Sequence, residues 1–241
     1  MTEGGAPPNP VGSPPDVVYV LRETSNDNAE LRWSLRSLQN LPHRQVWIVG
    51  HKPSWVRNVE HIPRAQDGRS KYEVQRRHLA KACQNKELSD VFYLFNDDFF
   101  VVGRVPSVPV MHRGPMLAAH PVTGKSRWLS GIRETAMLLR NWGYENPLSY
   151  ELHVPLPVVK QAMGDVLRRI PTVRHGVQMR SAYGNVADIG GVVSDDVKIG
   201  AMDATIPKGA VFVSTSDRSW NDGAIGAALR DRFESPGGYE Q

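Results

Sequence analysis

"VFYLFNDDFF", residues 91–100, sets two adjacent carboxylates, Asp97 and Asp98, between two runs of large apolar residues. An ionised carboxylate at the edge of a core is costly unless a positive group meets it. The pattern is that of a chain leaving a buried strand, showing two acids at a turn and entering a second strand. Upstream, "KYEVQRRHLAKACQN" (71–85) reads as a helix with Val74, Leu79, Ala82 and Cys83 on one side. "QVWIVG" (45–50) reads as a strand closed by Gly50. "NAELRWSLRSLQN" (28–40) places Leu31, Leu35 and Leu38 at helical spacing behind Asn28, a candidate N-cap, and "DVVYVLR" (16–22) reads as a buried strand. Strand, helix, strand, helix, strand predicts an α/β fold whose central sheet is mostly parallel and covered by helices on both faces. Ligands collect at the carboxyl ends of such strands, which is where Asp97 and Asp98 stand.

Downstream the reading is looser. Residues 103–128 are rich in Pro and Gly and are expected to be an irregular insertion. "GIRETAMLLRNWG" (131–143) predicts a helix ended by Gly143, and "PLPVVKQAMGDVLRRI" (155–170) predicts another with Pro157 near its first turn. "VFVSTS" (211–216) predicts a late strand, followed by a helix opening on Asn221 and Asp222. The Pro/Gly-rich residues 1–15 predict a flexible tail, leaving residues 16–241 as a single α/β domain without internal repeats.

Composition narrows the function classes only modestly. The 241-residue chain has a net charge of +4, compatible with an anionic ligand and demanding none. Its lone cysteine, Cys83, excludes an internal disulfide and any multi-cysteine zinc site. No run reaches the roughly 20 apolar residues of a membrane span, and the N-terminus lacks the basic and apolar regions of a signal peptide. A cytoplasmic setting is the expectation.

Each motif has an ordinary structural reading to set beside the functional one. Two adjacent Asp residues can hold a hard cation such as Mg²⁺ or Mn²⁺, with water and phosphate oxygens completing the shell. Asp also simply favours turns; the flanking strands tip the balance toward the cation. "AHPVTGKS" (119–126) fails as a phosphate loop because Ala119 stands where the pattern needs glycine. His153 in "ELHVPLP", just before an expected helix start and between proline-stiffened segments, suits a general base or a phosphate contact, although eight histidines make a packed or surface role the simpler alternative. Arg168, Arg169, Arg174 and Arg180 match phosphate geometry or form a plain basic surface. No helix-turn-helix, zinc-finger or RNP pattern accompanies them, so nucleic acid is not the expected partner. Asp222 and neighbouring helix amides could serve an anion or merely begin a helix.

In order, the motifs resemble four blocks of the Stealth family, the capsule-polysaccharide phosphotransferases that include the lysosomal-targeting N-acetylglucosamine phosphotransferase. "DVVYVLRET" with "ELRWSLRSL", "VWIVG" and "PSWV" resembles the first block. "KYEVQRRHLAKA" with "FYLFNDDFFV" resembles the second, "HVPLPVVKQAM" with "MRSAYGN" the third, and "STSDRSWNDGAIGAALRDRFESPGGYE" the fourth. Residues 103–148 match none. Val20 to Thr24 stand where the family has Thr-Trp-Val-Asp-Gly, so that Glu23 would take the acidic role and Arg22 is new.

The resemblance implies a GT-A-like fold and metal-dependent transfer of a sugar-1-phosphate from a nucleotide-diphosphate sugar to a hydroxyl of a glycan, lipid or protein. It implies Asp97 and Asp98 as ligands of Mg²⁺ or Mn²⁺, His153 as base or phosphate contact, and Arg180 and Arg22 as partners of the transferring phosphoryl group. Asp222 would be a carboxylate on the metal side, with Arg22, Glu23, Asn96 and Asn221 toward the donor. Two alternatives stand beside it: a glycosyltransferase releasing nucleoside diphosphate, and a non-catalytic module binding sugar or nucleic acid.

Overall fold

The computed structural model describes residues 13–24, 27–68, 70–120, 123–171 and 176–241. Most of the expected tail (1–12) and Arg174 lie outside the described residues. The first half runs β1 (Asp16–Leu21), α1 (Ala29–Ser37), β2 (Val46–Gly50), β3 (Glu60–Ile62), α2 (Lys71–Cys83), β4 (Val91–Phe95) and β5 (Phe99–Val101). It continues with β6 (Met111–His112), α3 (Met116–Ala119), α4 (Arg127–Asn141), β7 (Leu156–Val159), α5 (Lys160–Arg169) and α6 (Met179–Val186). Last come β8 (Val192–Val193), β9 (Lys198–Ile199), β10 (Phe212–Thr215), α7 (Asp217–Asp222) and α8 (Ala224–Arg232).

The main sheet has the order β3-β2-β1-β4-β7. Its pairings are parallel except β4 with β7, so the expected mostly parallel sheet is a mixed one. Every residue of β1 is buried, which explains its unbroken apolar run. Val18 and Val20 pack with Leu79 and Ala82 of α2 and Met163 and Val166 of α5. Val17, Tyr19 and Leu21 pack on the opposite face with Leu31 and Leu35 of α1. At about 1.5–3 kcal/mol per fully buried aliphatic side chain, these two faces hold the sheet between its helices.

Three expectations need correction. Pro157 does not open a helix: Leu156–Val159 is the edge strand β7, with Pro157 opposite Tyr93. An edge strand can face a missing N–H outward, and extended pairing with β4 there overrides the local preference for a helix start. The segment 103–128 is not wholly irregular, because it contains β6 and α3, and Arg127 already belongs to α4, capped by Ser126 accepting from the Leu129 amide at 3.2 Å. Asn221 and Asp222 end a helix rather than begin one. Ser216 caps α7 in a capping box with Ser219, and Gly223, extended at φ −92°, breaks the chain before α8. α4 stops as expected, with Gly143 at φ +100°.

β5, directly after the two acids, leaves the main sheet for a second one ordered β5-β10-β9. Among the described residues no helix is long and apolar enough to cross a membrane.

Candidate active site

β1 has β2 on one side and β4 on the other, so the connections diverge at the carboxyl ends of β1 and β4. Such a divergence opens a crevice in α/β sheets. Asp97 and Asp98 follow β4 there, and Arg22 to Thr24 follow β1. The acidic turn is anchored on both sides. Phe95 is fully buried, the Phe99 amide donates to Asn96 O at 3.3 Å, and Phe100 stacks on Trp220 at 5.5 Å. Asn96, Asp97 and Asp98 are left half-buried at the rim.

Asp97 Oδ2 accepts from Asn28 Nδ2 at 3.1 Å, and the same amide donates to Arg22 O at 3.0 Å. Asn28 does precede α1, as its residue type suggests, but in a left-handed conformation (φ 51°, ψ 48°) and without a capping bond from its side chain. The side chain ties β1 to the acidic turn instead. Asp98 Oδ2 accepts from Lys198 Nζ at 3.1 Å and from Ser214 Oγ at 3.0 Å. Register explains the convergence: Ser214 of β10 lies opposite Phe99 on one side and Lys198 on the other.

A third carboxylate joins them. Glu30, in the first turn of α1, accepts from Thr215 Oγ1 at 3.4 Å. Burial, then the charges of Asp98, Asp97 and Asp217, push its pKa up to about 8, against the opposing pull of Lys198. Asp97 is also raised, by burial first and by Asp98, against the hydrogen bond from Asn28 and the charge of Arg22. Among the described residues no three acidic, His or Cys groups form a ready-made metal cage. Two neighbouring half-buried carboxylates sharing one ammonium do fit a hard divalent cation that takes its remaining oxygens from water and phosphate. Asp97 and Asp98 would hold it.

His153, in the bend before β7, forms a dyad that sequence reasoning did not foresee. Its Nδ1 lies 2.8 Å from Asp196 Oδ2, and its backbone amide donates to Asp196 Oδ1 at 3.0 Å. Burial would raise the Asp196 pKa, but the hydrogen bond and charge of His153, its amide and Arg113 bring it down to about 2. An ionised Asp196 on Nδ1 fixes the tautomer that leaves Nε2 basic. The His153 ring stands edge-on to Phe99 at 6.3 Å, adjacent to Asp98 in the chain.

Arg180 packs on the same ring, its guanidinium 5.6 Å from the Phe99 centroid. It donates to Tyr150 O at 3.2 Å and Val154 O at 2.5 Å, bracketing the loop that carries His153. Burial lowers its pKa, opposed by the charges of Glu151, Asp196 and Asp98. Nε and Nη2 are thus engaged by backbone carbonyls, which ties Arg180 to the loop that carries His153.

Arg22 and Glu23 are exposed just beyond β1. Glu23 lines a cleft of about 510 Å³ over the carboxyl ends of β1, β2 and β3, together with His51, Lys52, His61 and Arg64. Gly50 at its floor is at φ +102°, and a Cβ there would sit 2.2 Å from Leu21 O and 2.6 Å from the His78 ring. Asn221 and Asp222 are exposed, and no hydrogen bond or ion pair joins them to the acidic turn among the described residues. The nearby acid from that block is Asp217, felt by Glu30.

Sequence reasoning missed Glu30, Asp196, Lys198 and Ser214. Asp195 and Asp196 form a second adjacent acidic pair, the one cue available for the dyad. No protein-family model matches the chain, and no curated protein matches it.

Proposed function

We propose that this protein is a divalent-cation-dependent transferase moving a sugar-1-phosphate from a nucleotide-diphosphate sugar to a hydroxyl acceptor. The observation that carries this reading is the pair Asp97–Asp98 at the divergence of β1 and β4, linked through Phe99 to the His153–Asp196 dyad. The basic cleft over β1 to β3 supports it, since its volume lies in the range of small-molecule sites and Lys52 and Arg64 suit phosphate. The order of motifs resembling the Stealth family supports it as well.

In this reading Lys52 and Arg64 draw the nucleotide end of the donor into the cleft. A cation at Asp97 and Asp98 supplies charge neutralisation for the diphosphate. His153 Nε2 takes the proton of the acceptor hydroxyl, and Asp196 stabilises the imidazolium that results. The acceptor oxygen bonds to the phosphorus bearing the sugar while the bond to the nucleoside monophosphate breaks, and that leaving group carries off the negative charge. Arg180 keeps His153 in place by holding Tyr150 and Val154.

The test is incubation with a panel of nucleotide sugars, Mn²⁺ and oligosaccharide acceptors, with nucleotide products separated by chromatography. Nucleoside monophosphate is expected. Release of nucleoside diphosphate would select sugar transfer instead, and metal-independent binding without turnover would leave only a binding module. His153→Ala should slow turnover by about 10²–10⁴-fold.

A further inference from the structure

Lys198 is the one residue whose ammonium makes an ion pair with the acidic turn among the described residues, and it occupies the carboxylate that the proposed cation needs. Its place is built by register. Lys198 and Ser214 are paired Cα positions on neighbouring parallel strands, and both side chains end on Asp98 Oδ2, at 3.1 and 3.0 Å. The Lys198 side chain is 33% exposed and that of Asp98 15%, so the pair is shielded but the ammonium has a path to solvent. A lysine stem is long and flexible, and its charge can move by several ångströms without disturbing the strand. A second cation arriving at Asp98 would meet the ammonium at close range, where two like charges repel strongly. A diphosphate arriving alone would meet the acids.

We propose that Lys198 is a built-in counter-ion that competes with the divalent cation for Asp98 and transfers to the donor's diphosphate when the cation binds. The cation and the diphosphate then bind cooperatively, each weakly without the other, and the coupling is reciprocal. The inference rests on the reading of Asp97 and Asp98 as the cation site. It adds a control on that site: free metal is excluded until a donor is present.

The experiment is Mn²⁺ binding followed by the electron paramagnetic resonance of free Mn²⁺, with and without uridine diphosphate. It compares the wild type, Lys198→Met and Ser214→Ala, with circular dichroism to confirm folding. Lys198→Met should bind Mn²⁺ alone about tenfold more tightly than the wild type, because a repelling charge is gone. The enhancement of Mn²⁺ binding by uridine diphosphate should shrink several-fold in the same variant. Ser214→Ala, which keeps the charge, should stay within about twofold of the wild type. Equal or weaker Mn²⁺ binding by Lys198→Met, in a protein whose wild type binds Mn²⁺, overturns the role of Lys198 and leaves the cation site standing. Absence of Mn²⁺ binding by all proteins, with and without uridine diphosphate, overturns both. Lys198→Gln provides the same comparison if the methionine variant does not fold.

Discussion

Two carboxylates stand at opposite ends of the main sheet and have opposite surroundings. Asp16, at the start of β1, is fully buried and richly satisfied. Arg44 grips it with Nε at 2.8 Å and Nη2 at 2.6 Å, while the Trp47 indole and the Ser89 amide each donate at 2.9 Å. Burial alone would raise its pKa, but these partners, Arg44 foremost, bring the net below the usual carboxylate value. Asp97, beyond the end of β4, has among the described residues one side-chain donor, the neutral amide of Asn28, with Asp98 as a carboxylate neighbour; burial raises its pKa against the charge of Arg22. One carboxylate is a structural clasp. The other is held in a state that costs stability.

The largest effect separating the two ends should come from Asp97→Asn and Asp98→Asn. Each is expected to lower metal-dependent turnover by about 10³-fold. Melting temperature should hold or rise in Asp97→Asn, since repulsion with Asp98 is relieved. Full turnover in both variants would remove the functional half of the comparison.

The opposite end should respond in the opposite way. Arg44→Ala leaves Asp16 buried without its cation and should cost about 3 kcal/mol in urea denaturation. Mn²⁺ and nucleotide binding should be untouched, because Arg44 lies at the other end of the sheet. A stability loss too small to measure would mean that the clasp is not what holds β1 to β2 and the β4 approach.

pH separates the ends more gently. Glu30 releases its proton near pH 8 when folded and near 4.5 when unfolded, so the folded chain binds the extra proton between those values. Stability contributed at this position is therefore present below pH 4.5 and lost as pH rises toward 8. Glu240, gripped by Arg36 and Arg32, is brought down to about 2 against the effect of burial, so its contribution is lost only as pH falls from 4.5 toward 2. Denaturation midpoints at pH 5, 7 and 8.5 should decline in the wild type and flatten in Glu30→Gln. An identical slope in both would show that Glu30 does not carry the charge strain.

The smallest effect should be at Asn221 and Asp222. Both are exposed, and their alanine variants should change stability by less than about 0.5 kcal/mol and turnover by less than about twofold. A larger loss of turnover would bring the end of α7 into the site after all.

What could be read in advance follows the range of each signal. Leu31 and Leu35 announce α1, the unbroken run of β1 announces a strand buried on both faces, and Gly143 announces the end of α4, since periodicity and backbone punctuation act within a few residues. The position of Asp97 and Asp98 at a strand end was legible for the same reason. The partners that give those acids their meaning were not. Lys198 and Ser214 reach Asp98 from 100 and 116 residues away, and Asp196 meets His153 across 43.

By itself the sequence determined the α/β class, the elements β1, α1, β2, α2 and β4 before the acidic turn, and the place of two carboxylates at the end of β4. Tertiary structure alone decided that Pro157 lies in an edge strand, that β5 leaves for a second sheet, and that Ser216 rather than Asn221 begins α7. It also decided which carboxylate is neutralised and which is left strained. Local propensity acts over one turn of chain, whereas charge and pairing act through space, and only the folded chain sets those distances.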